Sequence, residues 1–156
     1  MVEFTKRESF TLQIAVYLRA GDYEKAYELA KAFTVKFPGD FFSHYLLSKS
    51  AFGLRRYDES VIEGKKSFGN APDKGSMRAA AILVGSAYFA ARQFRKGYDL
   101  LKETEKQGSD EALEEALFIF SYVLNKPDES VEHLGKLAKL NMRLALDIAK
   151  KASGSK

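Results

Sequence analysis

Gly21-Asp22-Tyr23-Glu24-Lys25-Ala26 leads on to Phe37-Pro38, and Arg55-Arg56-Tyr57-Asp58-Glu59-Ser60 leads on to Ala71-Pro72. Tyr23 and Tyr57 stand 34 residues apart, and so do Pro38 and Pro72. An internal period of about 34 residues is the mark of stacked two-helix repeats. No single helix pair can bury its own apolar face, so neighbouring pairs must supply the missing cover. The spacing predicts an all-α chain, an α-solenoid of antiparallel helix pairs.

Working outward, the three prolines fall only at expected boundaries, at Pro38, Pro72 and Pro127. That suits helices divided by turns, because proline breaks helix interiors. No alternation of period two rich in Val, Ile and Thr appears, so no strands are expected. Apolar residues recur at helical spacing, as in Leu12 and Val16, or Leu113, Leu117, Phe120 and Leu124. The pattern reads as helices over 6–19, 23–36, 41–53, 57–68, 75–90, 94–106, 110–124, 127–139 and 140–152. Grouped, this is a single domain over 1–156 with repeats at about 6–38, 41–72, 75–108 and 110–139. The last helix, 140–152, caps the open end with Leu140, Leu144 and Ile148 turned inward. Ser153-Gly-Ser-Lys156 reads as a frayed tail, and Asn70-Ala-Pro-Asp-Lys-Gly-Ser76 as the clearest loop.

Composition removes several function classes. The 156 residues are 46% hydrophobic and 29% charged, an ordinary globular balance, with a net charge of +4. There is no cysteine, so disulfides, thiolate metal sites and cysteine nucleophiles are excluded. The charged stretch Met1–Glu8 lacks the apolar run of a signal peptide, and no run approaches the roughly 18 apolar residues of a membrane span. A cytoplasmic protein without a membrane span is expected. His44 and His133, the two histidines, lie in different repeats without metal-ligand spacing and read as surface or packing residues. Glu114-Glu115 reads as a solvated pair. Neither a Gly-rich phosphate loop nor a nucleophile elbow occurs, so no enzyme, cofactor or metal is expected. Basic clusters such as Arg55-Arg56, Arg95-Lys96 and Lys150-Lys151 are offset by nearby acids, leaving a nucleic-acid-binding helical repeat as a remote alternative.

The chain resembles the tetratricopeptide repeat (TPR) family, whose pattern is W-x2-L-G-x2-Y, then A-x3-F, then P. Val84-Gly85-Ser86-Ala87-Tyr88 followed by Phe94 carries the first half. Tyr17, Gly21, Tyr23, Ala26, Ala30 and Pro38 carry the turn and second half. The second repeat keeps Leu47, Tyr57 and Pro72 but has Ser60 where the family prefers alanine, and Asn125-Lys-Pro127-Asp-Glu-Ser130-Val echoes it in the fourth. Ala26, Gly85 and Gly97 are expected at close helix contacts. Tyr23, Tyr57 and Phe94 are expected to fill the wedges beside the turns.

The resemblance implies a scaffold or adaptor that binds proteins on the face lined by the first helix of each pair. Its register turns Thr11, Ala15 and Leu18 inward, with Ala79, Ser86, Ala112 and Glu115. It also turns inward Phe42, Tyr45, Lys49, Phe52, Ile82, Phe89, Ile119 and Tyr122, the expected partner-binding set. These suit an apolar peptide or amphipathic helix, with Tyr45 and Phe52 as anchors. The alternative is a second copy of the chain, self-associating through the same apolar face. The family's carboxylate clamp for a chaperone C-terminal tail would fall on Thr11, Ala15, Leu46, Ala79 and Leu83, none of which fits, so that partner is rejected.

Overall fold

The computed structural model describes residues 5–154. The first four residues of the charged N-terminal stretch and the last two of the expected tail lie outside it. Among the described residues there are nine helices and no strand. They gather into two compact units, one up to Ala91 and one from Arg92 onward.

The first unit holds α1 (Lys6–Ala20), α2 (Tyr23–Lys36), α3 (Phe41–Gly53), α4 (Tyr57–Gly69) and α5 (Lys74–Ala90). The second holds α6 (Phe94–Glu105), α7 (Glu111–Val123), α8 (Pro127–Leu140) and α9 (Met142–Ala152). Each helix end lies within two residues of the sequence expectation. Polar side chains explain most of the starts. Thr5 and Glu8 close a reciprocal capping box, and Asp22, Asp40, Asp73, Asp110 and Asn141 each accept a backbone N–H of the first turn. The bonds from Ser76 hold the Asp73 carboxyl below its ordinary range.

The helix ends reuse one device. After α1, α3, α5 and α7 comes a residue with positive φ: Gly21 at 76°, Arg55 at 61°, Arg92 at 60° and Asn125 at 55°. The next N–H then reaches back over the turn, from Asp22 to Tyr17 O, Arg56 to Ala51 O and Lys126 to Ser121 O, each at 2.9 Å. Glycine takes this conformation freely, whereas in arginine the Cβ crowds the following carbonyl. Arg55→Gly is therefore expected to stabilise the protein by about 0.5–1 kcal/mol, read as a rise in melting temperature.

In the first unit the core is Ile14, Ala26, Tyr27, Ala30, Phe33, Leu46, Leu47 and Ala51, with Phe10 stacked on Phe33 at 5.2 Å between centroids. Ser60 replaces the family's alanine without leaving a polar group unmet. Its Oγ donates to Ser48 O at 2.9 Å, and Ser48 Oγ donates to Ser60 O at 2.7 Å, which stitches α3 to α4. In the second unit Leu101, Leu113, Leu117 and Leu137 are fully buried, and Ser121 and Ser130 repeat the serine contact at 3.0 Å between α7 and α8. Ala26, Gly85 and Gly97, expected at close helix contacts, are buried.

A second device recurs 70 or 71 residues later. Tyr27 on α2 donates to Glu59 on α4, with the Arg56 guanidinium over its ring at 4.7 Å. Tyr98 on α6 donates to Glu129 on α8 at 2.5 Å, with the Lys126 ammonium over its ring at 5.7 Å. Each ties the second helix of one pair to that of the next. The hydrogen bond to Glu59 raises the Tyr27 hydroxyl pKa, and burial with Glu129 does so at Tyr98.

The last helix packs on α8, with Ala145 buried and Leu144 and Ile148 half-buried. Leu140 corrects the expected inward face, being 51% exposed. It ends α8, because Asn141 closes that helix and caps the next, so Leu140 never joins the face of α9.

Candidate functional site

The first unit carries a cleft of about 450 Å3 lined by Ala15, Leu18 and Arg19 of α1, Tyr23 of α2, and Leu46, Lys49, Phe52 and Gly53 of α3. Its floor is apolar. Its rim holds two cations, Arg19 and Lys49, which form no ion pair among the described residues. Gly53 explains how Tyr23 gets there. A Cβ on Gly53 would lie 2.2 Å from the Tyr23 ring, so only glycine lets the ring lie flat on the end of α3. Tyr23, expected as a wedge filler, is 37% exposed and forms a wall of the cleft as well.

Helical spacing brings Phe42, Tyr45, Lys49 and Phe52 onto one side of α3. Only Lys49 and Phe52 line the cleft. Tyr45 is stacked on Phe41 at 5.2 Å, carries the Lys49 ammonium over its ring at 5.5 Å, and has its hydroxyl pKa raised by burial. Phe42 is 39% exposed beneath the Arg7 guanidinium, which is paired with Asp40. Phe52 meets Tyr57 edge-on at 5.5 Å. Ile82 and Phe89 are half-buried on α5. In the second unit Ile119 and Tyr122 are exposed on α7, and the Tyr122 hydroxyl donates to Ala152 O at 3.1 Å. Tyr122 also lines a depression of about 580 Å3 with Phe118, Val131, Leu134 and Ala149.

Two buried histidine–carboxylate contacts escaped the sequence reading. His44 on α3 has Nδ1 2.7 Å from Glu63 Oε2 on α4 and Nε2 2.6 Å from Pro38 O. Through its two ring nitrogens His44 joins α3 to α4 and to the turn before α3. His133 on α8 has Nδ1 2.9 Å from Glu114 Oε2 on α7 and 3.4 Å from Glu105 Oε2 on α6. His44 and Glu114 are 70 residues apart, as are Glu63 and His133, so acid and base have exchanged helices between equivalent repeat positions. Glu114 is 1% exposed, which corrects its reading as a solvated carboxylate. Burial alone would raise its carboxyl, but hydrogen bonding with His133, Glu105 and Ser109 outweighs that and lowers it to about 2. Lys136 closes the cluster at 3.2 Å from Glu105 Oε2. Burial lowers its pKa, but bonds to Glu132 and Glu105 reverse that and leave it raised.

Among the described residues no helix is long and apolar enough to cross a membrane. No sequence profile of a known family and no curated protein matches the chain. Solved structures do. One is TTC0263, a thermophilic TPR protein of Thermus thermophilus, similar with a TM-score of 0.78 at 16% identity over 96% of this chain and 81% of that one. MamA of Desulfovibrio magneticus gives 0.73 at 18% over 88% and 77%. Nearly identical TPR-like repeats ascribed to a kinesin light chain of Podosopora anserina give 0.74 at 16% over 97% and 90%. With helices and turns at the expected places, the chain has the tetratricopeptide-repeat fold.

Proposed function

We propose that this chain is a non-enzymatic protein-interaction module, a scaffold or adaptor, whose first-unit cleft takes an apolar side chain of an amphipathic or hydrophobic peptide. The observation that carries the reading is the cleft between α1 and α3, where Leu18, Tyr23, Leu46 and Phe52 surround a space large enough for one bulky side chain. Half-buried Phe52 is the anchor, and Tyr45 and exposed Phe42 extend the face along α3. Lys49 and Arg19 add selectivity for a peptide with acidic residues beside its apolar ones.

The test is selection of amphipathic peptides from a displayed library on the full chain, followed by titration against a Tyr45→Ala/Phe52→Ala double variant. The selected peptides are expected to lose at least about tenfold in affinity while helicity by circular dichroism stays unchanged. Unchanged binding in a folded variant rejects the cleft. Self-association through the exposed Ile119 and Tyr122 would appear instead as a dimer in light scattering, one that Tyr122→Ala dissociates.

A further inference from the structure

The structure assigns a second, separate site: Glu105, Glu114 and His133 in the second unit form a binding site for a single divalent transition cation of the zinc class. The three side chains come from α6, α7 and α8, and one donor atom from each lies within 4.8 Å of the other two. A zinc ion with bonds of about 2.0–2.1 Å holds tetrahedral ligands about 3.3 Å apart. The two distances from His133 Nδ1 to the carboxylates, 2.9 and 3.4 Å, bracket that spacing.

The surroundings already do what a metal's outer shell does. Ser109 Oγ donates to Glu114 Oε1 at 2.7 Å, which fixes that carboxylate with Oε2 turned to His133. Tyr98 Oη stands 3.4 Å from His133 Nε2. The Tyr98 proton is directed at Glu129, so its oxygen faces Nε2 as an acceptor and holds the ring with Nδ1 turned to the two carboxylates.

Charge favours the exchange. Two carboxylates converge on one fully buried imidazole, and the balancing Lys136 ammonium is on a side chain 43% exposed. Lys136 also pairs with Glu132 at 3.2 Å, so it can release Glu105 and keep a partner. A dication then takes the place of the imidazole proton and of the Lys136 contact. Imidazole with two carboxylates, and only three protein ligands, suits zinc, cobalt or manganese better than calcium or magnesium, which prefer oxygen shells of six or more. Solvent supplies the fourth ligand.

The test uses the untagged full chain with Zn2+ and Co2+ as the only probes. One equivalent of Co2+ is expected to give visible d–d absorption, which Zn2+ abolishes. Zn2+ is expected to shift the His133 ring resonances, which are simple to assign in a protein with two histidines. Excess Zn2+ should raise the melting temperature by several degrees. Glu105→Gln, at a half-buried position, is expected to weaken binding at least about tenfold, and His44→Gln to leave it unchanged. Binding weaker than about 1 mM, His133 resonances that Zn2+ does not move, or equal binding by Glu105→Gln would each overturn the assignment.

Discussion

Gly64→Leu is expected to unfold the first unit or to cost it at least about 3 kcal/mol, at the upper end of overpacking effects. Gly64 is buried in the middle of α4, facing both α3 and α5. A Cβ added there would lie 2.6 Å from Val84 Cγ2 and 3.1 Å from Ser48 Oγ. Neither neighbour can retreat. Val84 is fully buried on α5, and Ser48 is held by its exchange of hydrogen bonds with Ser60. Three helices meet at a point where only hydrogen fits. Gly64→Ala grades the effect, because alanine gains up to about 1 kcal/mol of helix propensity while meeting the same clash. Gly135→Ala is the contrast. That glycine lies inside α8 with nothing within 4 Å of the added Cβ, so the propensity gain should appear as net stabilisation. Urea unfolding of the three full-length variants gives the order. A Gly64→Leu protein as stable as the parent would refute the three-helix contact.

These glycines show which parts of the fold could be read from the chain and which could not. Helix ends were legible because the 34-residue spacing and the residues of the turns mark them, as at Gly21 after α1 and Pro38 before α3. The same turn at Arg55, Arg92 and Asn125 was not, since nothing in an arginine announces a left-handed backbone; only its place in the repeat does. Gly85 stood out through a family pattern, whereas Gly64 matters through a meeting of three helices that no local pattern records. The cleft was half legible. Lys49 and Phe52 follow from the register that the family resemblance implies, but Arg19 and Tyr23 join them only through the approach of α1 and α2 to the end of that helix. The buried histidines were missed because their partners stand 19 residues away across a turn, in antiparallel register. The correspondence of His44 with Glu114 and of Glu63 with His133 at a separation of 70 residues, about two repeats, is the signal that would have found them.

That exchange of acid and base carries the second large expected effect. Glu114→His leaves Glu105 facing two imidazoles, and His133→Glu gathers three carboxylates at a fully buried position. Each single variant should cost on the order of 3–5 kcal/mol, the usual result of breaking a buried pair from one side. The double variant Glu114→His/His133→Glu rebuilds the arrangement that α3 and α4 already use, with base on the first helix and acid on the second. Its surroundings allow this. The Lys136 ammonium, 3.2 Å from Glu105 Oε2 and one turn from position 133 on the same helix, can balance a carboxylate there. The double variant should therefore recover most of the loss, with a coupling of at least about 2 kcal/mol in a double-mutant cycle. Acid adds an independent reading. The folded Glu114 carboxyl, at about 2, lies below its ordinary 4.5, so its contribution is complete at neutral pH. It fades as pH falls from near 5 towards 2, and the parent protein should lose roughly 2–3 kcal/mol over that window through this group. Glu114→Gln should flatten that part of the pH profile while being less stable at pH 7. Additive single-variant losses with no recovery in the double would mean that the pair depends on Ser109, Tyr98 and Glu105 in one orientation, and that the two repeats use the same positions for different local environments.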